Sequence, residues 1–85
     1  MNKRDVINEQ VTITSLGFYK NLEAYPKRME YKGRTYNFIE TGLKCLVKQG
    51  EKIAQVISLS DGMAWYQLRY DQANASWTLL AITRG

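Results

Sequence analysis

Apolar and polar residues alternate with a period of two along much of this chain, the spacing of half-buried strands. The alternation is cleanest from Lys27 to Tyr31 and from Arg34 to Phe38, on either side of Lys32-Gly33. Glycine at the second position supplies the positive φ that a two-residue hairpin turn requires. That register sets Tyr31 opposite Arg34, Met29 opposite Tyr36 and Lys27 opposite Phe38. One face then carries Met29, Tyr31, Tyr36 and Phe38, with Lys27 and Arg34 at its ends. The other carries only Arg28, Glu30, Thr35 and Asn37. The first face is expected in the core and the second in water.

A second hairpin is written from Ile53 to Leu59 and from Met63 to Tyr70, around Ser60-Asp61-Gly62. Asp-Gly is the stronger local turn signal. A two-residue turn at Asp61-Gly62 would set Leu59 opposite Ala64, Ile57 opposite Tyr66 and Ile53 opposite Tyr70. The core face would be Ile53, Ile57, Leu59, Ala64, Tyr66, Leu68 and Tyr70, interrupted only by Gln55. The opposite face mixes Ala54, Val56, Met63 and Trp65 with Ser58, Ser60, Gln67 and Arg69. It has the composition of neither a core nor a plain solvent face.

Outside the hairpins the pattern is weaker. Residues 1–10 lack periodicity and read as a flexible N-terminal segment, leaving 11–85 as a single β domain. Val11 to Ser15 alternates as a first strand. Gly17 to Pro26 is a connection whose Phe18, Tyr19, Leu22 and Tyr25 are expected to pack down on the sheet, with Pro26 starting the next strand. Ile39 to Gly50 supports two readings. Period two puts Leu43, Cys45 and Val47 on one side and Lys44 and Lys48 on the other, as a strand bent by a bulge at Thr41-Gly42. Period 3.6 groups Leu43, Leu46 and Val47 on a short helix near residues 41–49, stopped by Gly50. The strand is the preferred reading. Ser76 to Thr83 is apolar on both sides, with Trp77 and Leu79 facing one way and Leu80 and Ile82 the other.

These elements predict an all-β fold: a single antiparallel meander of five to six strands curled into a partly open barrel. The alternative is α+β with one helix near 41–49. At 85 residues the chain makes one small domain, burying about 60–65% of its unfolded surface.

Composition narrows the chemistry. The net charge of +4, from twelve Lys and Arg against eight Asp and Glu, favours acidic partners only slightly, because solvated lysines also serve solubility. A single cysteine, Cys45, allows no internal disulfide and fits a reducing compartment. The start of the chain leads into no signal-like apolar stretch, and the longest apolar run is Leu79 to Ile82. A cytoplasmic protein without membrane contact is expected.

There is no histidine, no nucleophile–base pair, no phosphate-cradling glycine loop and no calcium loop. No enzyme activity, cofactor or metal is therefore expected. Cys45, set among Leu43, Leu46 and Val47, reads as a small buried hydrophobe rather than a reactive thiol.

Two candidate binding surfaces remain. Val56, Met63, Trp65 and Arg69 share the mixed face of the second hairpin and combine an aromatic anchor with an arginine, as protein-binding hot spots do. Cover by the N-terminal strand or the 17–26 connection would turn that face into a second part of the core. Lys27, Arg28, Lys32 and Arg34, with Lys44 and Lys48, make a basic set interleaved with Tyr31 and Tyr36, the composition of nucleic-acid-binding sheets. The hairpin register sends both rings to the core, which weakens this second surface.

The run Tyr31-Lys32-Gly33-Arg34-Thr35-Tyr36-Asn37-Phe38 resembles an aromatic-basic-Gly-Arg-x-Tyr hairpin found in small uncharacterised bacterial all-β domains. Ala64-Trp65-Tyr66-Gln67-Leu68 and Ser76-Trp77-Thr78-Leu79 look like the later strands of such domains. The resemblance spans residues 27 to 82 and departs from the pattern at Tyr31, where tryptophan is usual. It implies a curled antiparallel architecture and no assigned activity. The resulting expectation is a non-catalytic binding or accessory module, first for a protein partner through the Trp65 face or a bare sheet edge. A homodimer through such an edge is one form of this, and nucleic-acid binding through the basic hairpin is the alternative.

Overall fold

A computed structural model describes residues 3–21 and 23–85 of the chain. Seven strands form one antiparallel sheet: β1 (Lys3–Phe18), β2 (Ala24–Tyr31), β3 (Arg34–Asn37), β4 (Glu40–Gln49), β5 (Lys52–Ser60), β6 (Ala64–Asp71) and β7 (Ser76–Arg84). Their spatial order is β3-β2-β1-β7-β6-β5-β4. The all-β class is as the alternation predicts. No helix is long and apolar enough to cross a membrane among the described residues.

The order is two meanders joined by pairing of the first and last strands. The first half of β1, from Lys3 to Val11, pairs with β7, and the second, from Thr12 to Phe18, pairs with β2. Residues 3–10 are therefore strand, not the flexible segment that their irregular pattern suggests. The cause of the irregularity is visible at Asn8, which has a φ of 55°. The ladder skips there between Val6 and Glu9, and such a bulge breaks the period while keeping Ile7 and Val11 against the core.

The sheet folds over on itself without closing into a barrel. Tyr36 of β3 meets Tyr66 of β6 with ring centroids 5.5 Å apart, and Phe38 meets the same ring at 5.4 Å. These strands are not neighbours in the sheet, so the contact measures the curl. Between the two halves lie Met29, Leu59, Leu68 and Leu79, all fully buried. The first hairpin has the register read from the sequence, with Met29 opposite Tyr36 and Tyr31 opposite Arg34.

Two features shift relative to expectation. In the second hairpin Leu59 faces Tyr66 and Ile57 faces Leu68, because the turn is centred on Gly62 and Met63 instead of Asp61 and Gly62. Moving the centre by one residue moves the pairing by two, so each side chain keeps its face. In β7, Ala81 faces Gln67 and Leu79 faces Leu68; Leu80 is left over as a bulge. That bulge returns Ile82 to the core beside Leu79, which explains a strand apolar on both sides.

Within the stretch from 39 to 50, Glu40–Gln49 is strand, with the bulge where glycine suggested it: the β4–β5 ladder skips between Thr41 and Lys44. The connection narrows to Tyr19–Glu23, since Gly17 and Phe18 belong to β1 and Pro26 sits buried inside β2 opposite Leu16. Tyr19 and Tyr25 pack together at 4.8 Å, while Phe18 is exposed; Leu22 lies outside the described residues.

Candidate functional site

The chain crosses from one edge of the sheet to the other at Phe38 and Ile39. The Phe38 amide donates to the Lys27 carbonyl of β2 at 2.9 Å, and the Ile39 amide donates to the Ser60 carbonyl of β5 at 2.8 Å. Successive amides of an extended chain point in opposite directions, so β3 and β4 are nearly one strand that changes partners at a single residue. Phe38 is consequently buried and Ile39 is left in solvent.

Beside Ile39 stands the β5–β6 turn. The Asp61 carboxylate accepts from the Met63 and Ala64 amides at 2.8 and 2.9 Å and from the Tyr66 hydroxyl at 2.8 Å. The Ser60 hydroxyl oxygen accepts from the Gly62 amide at 3.0 Å. Gly62 adopts a φ of 93°, which an L side chain rarely tolerates. Burial pushes the Asp61 carboxyl up, but the two amides and the tyrosine hydroxyl outweigh it and hold the group below its ordinary value. Burial, and then the neighbouring carboxylate, push the Tyr66 hydroxyl well up. A turn fixed in this way presents Met63, 85% exposed, on a rigid support.

Trp65 lies one residue beyond the turn's end, opposite Ser60 on β5 and Thr83 on β7. Its ring lies over Gly42 of the β4 bulge: a Cβ there would stand 2.8 Å from Trp65 Cζ3. The ring is held on one side and 39% exposed, so the mixed face is neither open nor folded under another strand. The bulged start of β4 covers part of it.

The four residues of the expected protein-binding face fall into two places. Met63 and Trp65 stand together at the turn. Val56 and Arg69 face each other further along the sheet; Val56 is buried, and Arg69 Nε binds Asp71 at 3.1 Å. The surface that joins Met63 and Trp65 consists of residues the alternation did not single out for binding. Ten large apolar side chains are exposed among the described residues, and seven of them (Ile39, Leu43, Leu46, Val47, Ile53, Met63 and Trp65) lie on β4 or beside it. Leu43 is 85% exposed. The one available signal was the run Leu43-Lys44-Cys45-Leu46-Val47, whose apolar residues occupy both parities; such a run fits a strand buried on two faces as well as an edge. Cys45 is exposed as well, contrary to its reading as a buried hydrophobe, because it stands opposite Val56 on the face of the sheet away from the core.

The six basic residues do not form one group. Lys27, Arg28, Lys32 and Arg34 sit on the β2–β3 hairpin, while Lys44 and Lys48 sit on β4 at the other end of the strand order. Arg28 donates to Asn37 at 3.0 Å. Lys32 lies 3.8 Å from Glu9 and over the Tyr31 ring, and Lys44 lies 3.2 Å from Glu23. Tyr31, half-buried against the core, donates its hydroxyl to Glu9 at 2.7 Å, which raises its pKa. Among the described residues no three His, Cys, Asp or Glu side chains are grouped as they would be around a metal ion.

An open cleft of about 560 Å³, lined by Tyr19, Lys20, Asn21, Glu23 and Lys44, runs between the β1–β2 connection and β4. No family model matches the chain, and neither a curated protein nor a solved structure matches it.

Proposed function

We propose that this chain is a small non-catalytic protein-interaction module, working in the cytoplasm, that docks through β4 and the adjoining corner formed by Ile39, Leu43, Met63 and Trp65. The supporting observation is the concentration of exposed apolar side chains along one edge, next to a turn held rigid by Asp61. Apolar surface gathered in this way is costly in a monomer and usually marks an interface. Trp65 supplies the aromatic anchor, and the half-burial of its ring limits the entropy lost on docking.

Affinity capture from cell extract with the wild-type chain and with Ile39→Asp and Met63→Asp tests the reading. A protein retained by the wild type and lost by both variants is expected. A capture profile identical for all three overturns it.

Nucleic-acid binding through the β2–β3 hairpin is the second reading, favoured by the exposure of Lys27, Arg28 and Arg34. It requires an affinity for single-stranded DNA or RNA that falls steeply with salt. Absence of a mobility shift at about 50 mM salt, where phosphate contacts are strongest, overturns it.

A further inference from the structure

Among the described strands, β5 is the only one that brings a Cα within 8 Å of β4. On the other side of this ten-residue strand the N–H and C=O of alternate residues have no strand beside them. Proteins ordinarily blunt such an edge by shortening it, by covering it, or by placing proline, lysine or a bulge on it. β4 has a bulge near its start and two lysines, Lys44 and Lys48, but no proline, and Leu43, Leu46 and Val47 stand exposed beside those lysines. We propose that the occupant of this edge is a second copy of the same chain, paired antiparallel with β4 about a two-fold axis through Cys45. The proposal rests on the reading of the β4 edge as a docking surface and names its partner.

The register follows from symmetry and charge. A two-fold axis perpendicular to the sheet keeps the two core faces on one side, so it has to pass through a residue. An axis through Lys44 sets that lysine against itself, and one through Leu46 sets Lys44 against Lys48; like charges directly opposite are destabilising. An axis through Val47 leaves Leu43 outside the ladder, and one through Leu43 falls on the bulge. Through Cys45 no lysine opposes a lysine. Leu43 then faces Val47 of the second copy, twice by symmetry, and Cys45 faces itself.

The outer side of the seam thereby becomes an unbroken apolar row, since Cys45 and Val47 lie opposite Val56 and Ala54 on the face away from the core. On the core side Lys44 faces Leu46, and its charge is already met by Glu23 at 3.2 Å within its own chain. Lys44 stands opposite Ile57, so this ion pair lies on the core face and does not occupy the edge. The regular ladder would extend from Leu43 to Val47, ending at the bulge on each side, and join the two sheets into one.

Sedimentation velocity over a range of concentrations tests the association, with a mass twice the 9.8 kDa of the single chain expected. Leu43→Lys and Val47→Lys should abolish the dimer while leaving the circular dichroism of the sheet unchanged. Val6→Lys and Leu16→Lys, at exposed apolar positions on β1, should leave it intact. Amide exchange provides a second measurement independent of any variant: β4 amides should gain protection as concentration rises. Mild oxidation tests the register. Cys45 should cross-link two copies, and Leu46→Cys in a Cys45→Ser background should not, because Leu46 faces Lys44.

A monomer at every concentration overturns the self-pairing; the capture experiment with Ile39→Asp and Met63→Asp then decides separately whether another protein docks there. A dimer that survives both lysine substitutions places the seam elsewhere. Cross-linking at Leu46→Cys as efficient as at Cys45 overturns the register.

Discussion

The two ends of the sheet, β3 and β4, are consecutive in the chain and treated in opposite ways. β3 is four residues long, carries Arg34 and Thr35 in solvent, and contributes Tyr36 to the aromatic contact with Tyr66. β4 is ten residues long, pairs with one neighbour, and exposes Leu43, Leu46 and Val47. A short edge resists unwanted pairing, and a long one with exposed apolar side chains invites it. The demands of folding account for the first edge. They do not account for the second, since Leu43 and Leu46 add no burial to this core.

Substitution should expose that contrast most sharply in stability. Met29→Ala, beneath the β2–β3 hairpin, removes a fully buried side chain and should cost about 2–5 kcal/mol in urea denaturation. Leu46→Ala on β4 should change the stability of the monomer by no more than about 0.5 kcal/mol. A loss at Leu46 comparable to that at Met29, measured at concentrations where the chain is monomeric, would show that β4 is structural after all.

The turn that supports the β4 corner comes next. Asp61→Ala strands two amides and the Tyr66 hydroxyl, and a loss of about 1–3 kcal/mol is expected. The folded carboxyl titrates below its ordinary value, so the unfolded chain binds more protons than the folded one. The contribution is then fully present above the unfolded value of about 4 and is lost as pH falls through the folded value. Denaturation midpoints measured from pH 6 down to about pH 2.5 should fall less steeply for Asp61→Ala than for the wild type. Equal slopes would remove Asp61 from the account.

Gly42→Ala probes how β4 holds Trp65. The added methyl meets the ring edge, and a ring can swing away, so the cost should be near the low end of the ~1–3 kcal/mol typical of overpacking. In a Trp77→Phe background the Trp65 emission should shift to the red as the ring moves into water. An unchanged spectrum would mean that the ring does not rest on Gly42. The smallest effect belongs to the other hairpin: Arg28→Ala removes an exposed bond to Asn37, and a change of at most about 1 kcal/mol is expected.

The first hairpin was legible because three local signals agree: the alternation, the Lys32-Gly33 turn and an all-polar second face. In the second hairpin the faces were legible and the pairing was not. The Asp61 side chain takes the place of a backbone acceptor and moves the turn by one residue. The candidate site was legible only at Met63 and Trp65. Ile39 and Leu43 look like ordinary strand hydrophobes, and nothing local marks them as exposed. Residues 3–10 look irregular in the sequence for a related reason, because the bulge at Asn8 hides their period.

By itself the sequence determined what depends on neighbours a few residues away: the all-β class, the hairpins, the bulge beside Gly42 and the sorting of side chains to one face or the other. Only the tertiary structure decided which strands are edges, because that depends on partners dozens of residues apart. Pairing of β1 with β7 and the crossing at Phe38 and Ile39 place β4 at the end of the sheet. Strand propensity and alternation are the same in a central strand and at an edge, so an apolar run such as β4 becomes core or interface according to what lies beside it.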